Sequence, residues 1–285
     1  MLDGGLSTRL ADLGHDLSDE LWSARLLHDD PAAIVAAHLD FLRAGASVIT
    51  TASYQASVDG FARHGYDDPP ALIRHSVDLV REAIRRLDTD RPLWTAASVG
   101  PYGAVLADGS EYRGNYGLSV KELVAFHRPR IGILAEAEPD VLALETVPDI
   151  REAEALLTAL DGRGLTAWLS YTVDGQETRA GQPLAEAFAL VQGRDDIIAV
   201  GVNCCRPADV APAVQLAAQV SGKPVVAYPN SGEGWDALAR TWTGQAESDL
   251  PLDTWVGAGA RLVGGCCRVT PAHIEAISRA CQRNR

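Results

Sequence analysis

Four of the five cysteines in this 285-residue chain stand as adjacent pairs, Cys204-Cys205 in "GVNCC" and Cys266-Cys267 in "LVGGCCRVTP". Neighbouring cysteines seldom bridge each other, because closing the eight-membered ring strains the peptide between them. Two readings remain for thiols placed in this way. Buried cysteines are common packing residues in cores. Alternatively, they point together at something that takes several thiolates. In a long chain with no disulfide framework, clustered cysteines more often mean metal or redox chemistry in a reducing cytoplasm.

The elements that must position these thiols are legible as alternating patterns. Apolar runs of strand type occur at 47–54, 93–100, 141–147, 167–173, 197–205, 224–232 and 260–267, with amphipathic helical patterns between them such as 31–45, 71–87 and 150–164. The stub Met1-Leu2-Asp3 is the candidate eighth strand. Eight nearly continuous apolar strands alternating with helices predict an α/β fold, a single (β/α)8 TIM barrel over residues 1–285, rather than an open doubly wound sheet. No linker, charge block or repeat divides the chain. The one irregular stretch, 102–119, is expected to be an extended loop that covers or builds a site.

The strands are apolar inside and polar at their C-terminal tips. Those tips read Asp3, then Thr51, Ser53 and Tyr54, then Ser98, Glu145-Thr146, Tyr171-Thr172, Asn203-Cys204-Cys205, Asn230-Ser231 and Cys266-Cys267. A barrel enzyme builds its site at that rim. Cys204 and the pair Cys266-Cys267 end the sixth and eighth strands, so their side chains are expected to meet above the barrel mouth. Three thiolates suit tetrahedral zinc with a fourth position left for substrate. On a regular strand Cys266 and Cys267 would face opposite sides. Gly264 and Gly265 are expected to relieve this by letting the backbone bend. Cys205 reads as structural and Cys281 as a bystander. None of the seven histidines falls at a strand tip. Asn203 either fixes the ligand strand by hydrogen bonding or contacts substrate. Tyr54, Tyr102 and Tyr116 are candidates for embracing a cation.

Totals narrow the partners. A formal charge of −13 argues against nucleic acid, whose phosphates demand a basic face, and mildly favours cationic small molecules. No secretory signal opens the chain and no apolar run approaches the length of a membrane span, so a cytoplasmic protein is expected.

"GVNC" at 201–204 and "GGCC" at 264–267, with "DGG" at 3–5, "ETVP" at 145–148 and "YPNSG" at 228–232, resemble the homocysteine S-methyltransferases, with every motif in order from Asp3 to about His273. The stretches "TASYQAS", "SVGPYGA", "LADGSEYRG" and "AFHRPR" look most like short members that use S-methylmethionine or S-adenosylmethionine. The resemblance implies zinc (Zn2+) held by Cys204, Cys266 and Cys267, with L-homocysteine as acceptor and methionine as product. It implies that Asp3 and Glu145 hold the homocysteine amino group, and that backbone around Gly4 and Gly5 takes its carboxylate. The sequence departs from the family in having only two residues ahead of "DGG", so that either the first strand is a stub or the start lies too far downstream, and in the second thiol at Cys205.

The chemistry stands beside the resemblance. A free alkyl thiol is mostly protonated near neutral pH, whereas a metal-bound one loses its proton. A sulfonium donor leaves as a neutral thioether and needs no general acid. What remains is alignment of the two sulfurs and the methyl group. The alternative is a phosphate-binding (β/α)8 barrel enzyme without thiol methylation, using the glycine-rich tips of the last two strands. A zinc hydrolase would prefer histidine and carboxylate ligands. A structural zinc would need a fourth protein ligand, for which Cys205 is the candidate.

Overall fold

The computed structural model describes residues 1–236, 241–246 and 250–283. Among these, one parallel sheet takes its strands in chain order: β1 (Val48–Thr50), β2 (Trp94–Val99), β3 (Val141–Val147), β4 (Ala167–Tyr171), β5 (Ile197–Asn203), β6 (Val225–Tyr228) and β7 (Ala260–Val263). The sheet curls until its two edges share one partner. Leu2 pairs in parallel with Val48, and its N–H donates to the Val263 carbonyl at 2.8 Å. The Met1 carbonyl accepts from Ser47 and Val48 N–H at 2.9 and 3.0 Å. The stub therefore closes the barrel as its eighth stave, as the sequence predicts.

Helical chain follows every stave and packs outside it: Leu6–Asp12 and Pro31–Arg43 after the stub, Pro69–Arg86 after β1, Val120–Glu136 after β2 and Ile150–Leu160 after β3. Leu184–Ala189, Pro207–Ser221, Leu252–Ala258 and Pro271–Arg283 follow β4 to β7 in turn. Local signals set the starts. Asp30 and Asp68 each accept from the backbone N–H three residues on, ahead of a proline that needs no N–H partner, and Ser119 with Glu122 forms a capping box. No described helix is long and apolar enough to cross a membrane.

The period-2 alternation of the strands sorts side chains into two layers. Leu2, Val48, Ala96, Val141, Ala143, Trp168, Ala199, Val226 and Tyr228 fill the barrel interior. A larger cluster, with Phe41, Leu144, Leu169, Val200 and Val225 among its members, lies between sheet and helices. At the C-terminal end the inward positions turn polar, giving Thr50, Ser98, Glu145, Ser170 and Asn203. The apolar runs overstate the strands at that end. The run at 47–54 pairs only over Val48–Thr50 and that at 224–232 only over Val225–Tyr228, because the tips leave the sheet to face the mouth. The stretch 102–119 is not one open loop. It holds a short helix, Tyr102–Leu106, and a 3-10 turn, Ser110–Tyr112.

Gly264 and Gly265 do not act by the expected bend, since neither has a positive φ. They allow close approach instead. A Cβ on Gly264 would lie 2.7 Å from the Asp3 carbonyl oxygen and from Leu2 Cβ, and one on Gly265 would collide with the Val269 side chain. Gly5 likewise lies under Cys266, its added Cβ 2.7 Å from that carbonyl oxygen. The glycines thus press the closing stave against the loop that carries Cys266 and Cys267. Gly264→Ala must push backbone from backbone, and an overpacking cost of about 1–3 kcal/mol is expected. It should appear as a lowered thermal midpoint of the metal-free protein; an unchanged midpoint would contradict the contact.

Candidate metal centre and substrate cavity

Cys204, Cys266 and Cys267 come together although their strands are separated by β6. Sγ of Cys204 lies 3.6 Å from Sγ of Cys267, Cys266 and Cys267 are 4.0 Å apart, and all three sulfurs fall within 4.8 Å of one another. Sulfurs bound tetrahedrally to zinc at about 2.3 Å would stand roughly 3.8 Å apart, so the donor set fits that ion with modest adjustment. Among the described residues this is the one metal-type cluster of cysteine, histidine and acidic side chains. Cys205 is fully buried in the outer apolar layer and takes no part in it.

Backbone conformation makes the convergence possible. Cys204 sits just beyond β5 with φ 48°, and Arg268, directly after Cys267, has φ 66°. Left-handed geometry at a non-glycine residue costs about 1–2 kcal/mol, so each is held in place. Cys204 N–H donates to the Tyr228 carbonyl, its own carbonyl accepts from Thr172 Oγ1, and Arg268 N–H donates to Thr8 Oγ1. Cys266 follows the last paired residue of β7 by three positions and Cys267 begins a turn, so the strand rule that would separate their side chains no longer applies.

The three thiols share protons. Hydrogen bonds from Cys266 and Cys267 hold the Cys204 thiol well below its ordinary pKa, while the bond to Cys204 drives those of Cys266 and Cys267 up. Tyr112 adds a contact at 3.1 Å between its hydroxyl and Cys204 Sγ.

Beside the sulfurs lies a cavity of about 290 Å³, lined by Asp3, Thr50, Tyr54, Ser98, Tyr112, Glu145 and Tyr228 among others. Asp3 is buried and accepts from Thr50 N–H at 2.8 Å and from Thr50 Oγ1. Burial pushes its pKa up to about 8 against the lowering effect of those bonds, with the Glu145 charge adding to the rise. Glu145 stands at a register shift in β3, accepts from Ser98 Oγ and, at 3.0 Å, from Tyr228 Oη. Burial raises its pKa to about 7. No arginine or lysine forms an ion pair with either acid among the described residues.

Asn203 does not line this cavity. Its side-chain oxygen accepts from Thr146 N–H at 2.7 Å and from Ser170 Oγ at 2.9 Å, and its amide donates to Thr146 Oγ1 at 2.7 Å. Thr146 itself has φ 58°. Of the two readings left open for Asn203, the geometry thus corresponds to fixing the strand tips. Gly5 N–H is committed to the Val269 carbonyl at 2.9 Å, which leaves Gly4 N–H as the free amide of that pair among the described residues.

The tyrosine expectations divide. Tyr54 lines the cavity, but Tyr102 and Tyr116 pack edge to face on each other, and Tyr116 Oη bonds Glu152. Sequence reasoning passed over Thr50, Tyr112, Trp22 and Arg268, all of which line the cavity. Inward parity on β1 would have marked Thr50, and adjacency to Cys267 would have marked Arg268. Tyr112 and Trp22 reach the mouth from short 3-10 turns, Ser110–Tyr112 and Trp22–Arg25, and no periodicity singles them out.

A closed parallel barrel with a three-cysteine cluster and unpaired carboxylates at its C-terminal rim defines the class of protein. Known proteins then name the family. The sequence model for homocysteine S-methyltransferase matches residues 1–281. Homocysteine S-methyltransferase of Escherichia coli (strain K12) is 45% identical over 289 residues, covering 97% of this chain and 93% of that protein. Selenocysteine Se-methyltransferase of Brassica oleracea var. italica is 40% identical over 98% of this chain and 88% of its own length. The metallated crystal form of the homocysteine methyltransferase MmuM from Escherichia coli superposes with a TM-score of 0.86 at 42% identity, covering 98% of this chain and 95% of that one. The chain belongs to the homocysteine S-methyltransferase family and is an enzyme of that class.

The raised carboxyl pKa values carry a stability consequence. Between pH of about 4 and 8 the folded chain keeps protons on Asp3 and Glu145 that the unfolded chain has lost, so these groups lower stability as pH rises through that window. Glu145→Gln should flatten the decline of metal-free unfolding free energy between about pH 5 and 7. Equal slopes for variant and wild type in denaturant titrations would contradict the assignment.

Proposed function

We propose that the enzyme transfers a methyl group from a sulfonium donor, S-methylmethionine or S-adenosylmethionine, to the sulfur of L-homocysteine, giving methionine. The observation that carries this reading is the joining of three cysteine sulfurs and two uncompensated buried carboxylates in the wall of one cavity. Cys204, Cys266 and Cys267 would hold zinc. When bound, the ion supplies acidification of the substrate thiol, so that its sulfur is a nucleophilic thiolate at neutral pH.

The protein groups account for the rest. Asp3 and Glu145 each become ionised beside the homocysteine ammonium, which replaces the counter-ion that burial denies them. Gly4 N–H, with the backbone that follows it, is available to the α-carboxylate. Thr50, Ser98 and Tyr228 orient the two acids, and Asn203 holds the tips that carry Glu145 and Cys204. Trp22, Tyr54 and Tyr112 offer aromatic faces to a sulfonium. The acceptor sulfur attacks the methyl carbon in line, the old carbon–sulfur bond breaks, and its electron pair returns to the donor sulfur. That product is a neutral thioether, so the site needs no general acid. With S-methylmethionine, both products are methionine.

The phosphate-binding alternative loses support because Gly264 and Gly265 face Asp3, Leu2 and Val269, leaving no cradle there. In the assay that tests the proposal, purified protein should carry about one zinc per chain and form methionine from homocysteine and a sulfonium donor. Cys266→Ser and Cys267→Ser should lose both metal and turnover. Glu145→Gln should chiefly raise KM for homocysteine, by about tenfold or more for a lost charge-assisted contact of about 1.5–3 kcal/mol. Absence of methionine with both donors would overturn the reading.

A further inference from the structure

The cavity handles two amino acids in the reaction proposed above, yet the ionisable groups of its wall besides the tyrosines are nearly all acid or thiol. Among the described residues that line it, Asp3, Asp12, Glu145 and three cysteines face a single cationic side chain, Arg268. We propose that Arg268 is the anchor for the α-carboxylate of the methyl donor and that Glu233 holds it ready; this rests on the sulfonium reading of the reaction.

Three observations support it. Arg268 directly follows Cys267, and its left-handed backbone and the Thr8 bond to its N–H fix where its side chain departs beside the sulfurs. Glu233 then grips one edge of the guanidinium, Nε to Oε2 at 3.0 Å and Nη2 to Oε1 at 3.3 Å. Glu233 is itself tied by Ser231 Oγ at 2.8 Å and is only 10% exposed at its side chain, so the grip is firm on the protein side. The other edge, Nη1 and the outer hydrogen of Nη2, has no partner among the described residues, and the Arg268 side chain is 43% exposed. A guanidinium offered edge-on to a planar anion is the geometry that takes a carboxylate through two parallel hydrogen bonds.

The homocysteine end has a separate place, beside Asp3, Glu145 and Gly4, which leaves Arg268 for the second ligand. Both candidate donors carry the same amino-acid end, with the carboxylate three carbons from the sulfonium. The anchor therefore recognises what they share and does not choose between them. In such an arrangement Glu233 is a positioning residue: it neutralises the guanidinium's charge while leaving its outer edge open.

The test uses zinc-loaded full-length protein with homocysteine and S-methylmethionine, and trimethylsulfonium as a competitor that lacks any carboxylate. Arg268→Ala should raise KM for S-methylmethionine at least tenfold (about 1.4 kcal/mol). KM for homocysteine, zinc content and the inhibition constant of trimethylsulfonium should stay within about twofold. Arg268→Lys should recover part of the loss, and Glu233→Gln should raise donor KM by less than Arg268→Ala. A rise in homocysteine KM instead, an unchanged donor KM, or an equal weakening of trimethylsulfonium overturns the proposal. Loss of zinc from both Arg268 variants also overturns it, because the residue would then serve the Cys267 turn. Wild-type protein that makes no methionine defeats the reaction itself, an outcome distinct from a wild type that turns over and an Arg268 variant that matches it.

Discussion

Three sulfurs must occupy one coordination sphere, and a regular strand can never supply two neighbours to it. Side chains alternate across a strand every residue, so Cys266 and Cys267 converge only because the chain has already left β7 and entered a turn. Cys204 reaches them from β5 by adopting a left-handed backbone that its own side chain disfavours. The strain is held by bonds from Cys204 to Tyr228 and Thr172 and from Arg268 to Thr8. Localised backbone strain of this kind persists where the surroundings over-determine it.

The barrel provides that over-determination from beneath and from the side. Trp168 Nε1 donates to Tyr228 Oη, which reaches Glu145, while Ser170 links Tyr228 to Asn203 and Asn203 locks Thr146. One buried chain of hydrogen bonds thus ties β3, β4, β5 and β6 together below the mouth. From the side, the closing stave lies against the cysteine loop through contacts that tolerate no Cβ at Gly5 or Gly264. Closure of the barrel and placement of the sulfurs are therefore the same structural event: the stub that completes the ring also supplies Asp3 and supports Cys266.

Electrostatics follow from this packing. Asp3 and Glu145 are buried with no ion pair to a described lysine or arginine, and burial is the chief cause that lifts both, with neighbouring negative charge adding to it. A carboxylate in that condition is costly until a cation arrives. Arg268 is the counterpart at the rim, a cation paired on one edge and open on the other.

The sequence by itself determined the alternation of strand and helix, the polar C-terminal tips, the three cysteines and the two acids. Each of these is a matter of residue type and period, and each is visible in a single chain. Tertiary structure decided what depends on contacts between distant segments. It showed that Gly264 and Gly265 make room rather than bend, that Asn203 binds strand tips, and that Gly5 N–H is already engaged. It brought Tyr112 to Cys204 across 92 positions of chain and set Tyr102 and Tyr116 elsewhere. The physical reason is range. Periodicity and burial are written locally along the chain, whereas hydrogen-bond partners and close approach are properties of pairs, fixed only when the barrel closes.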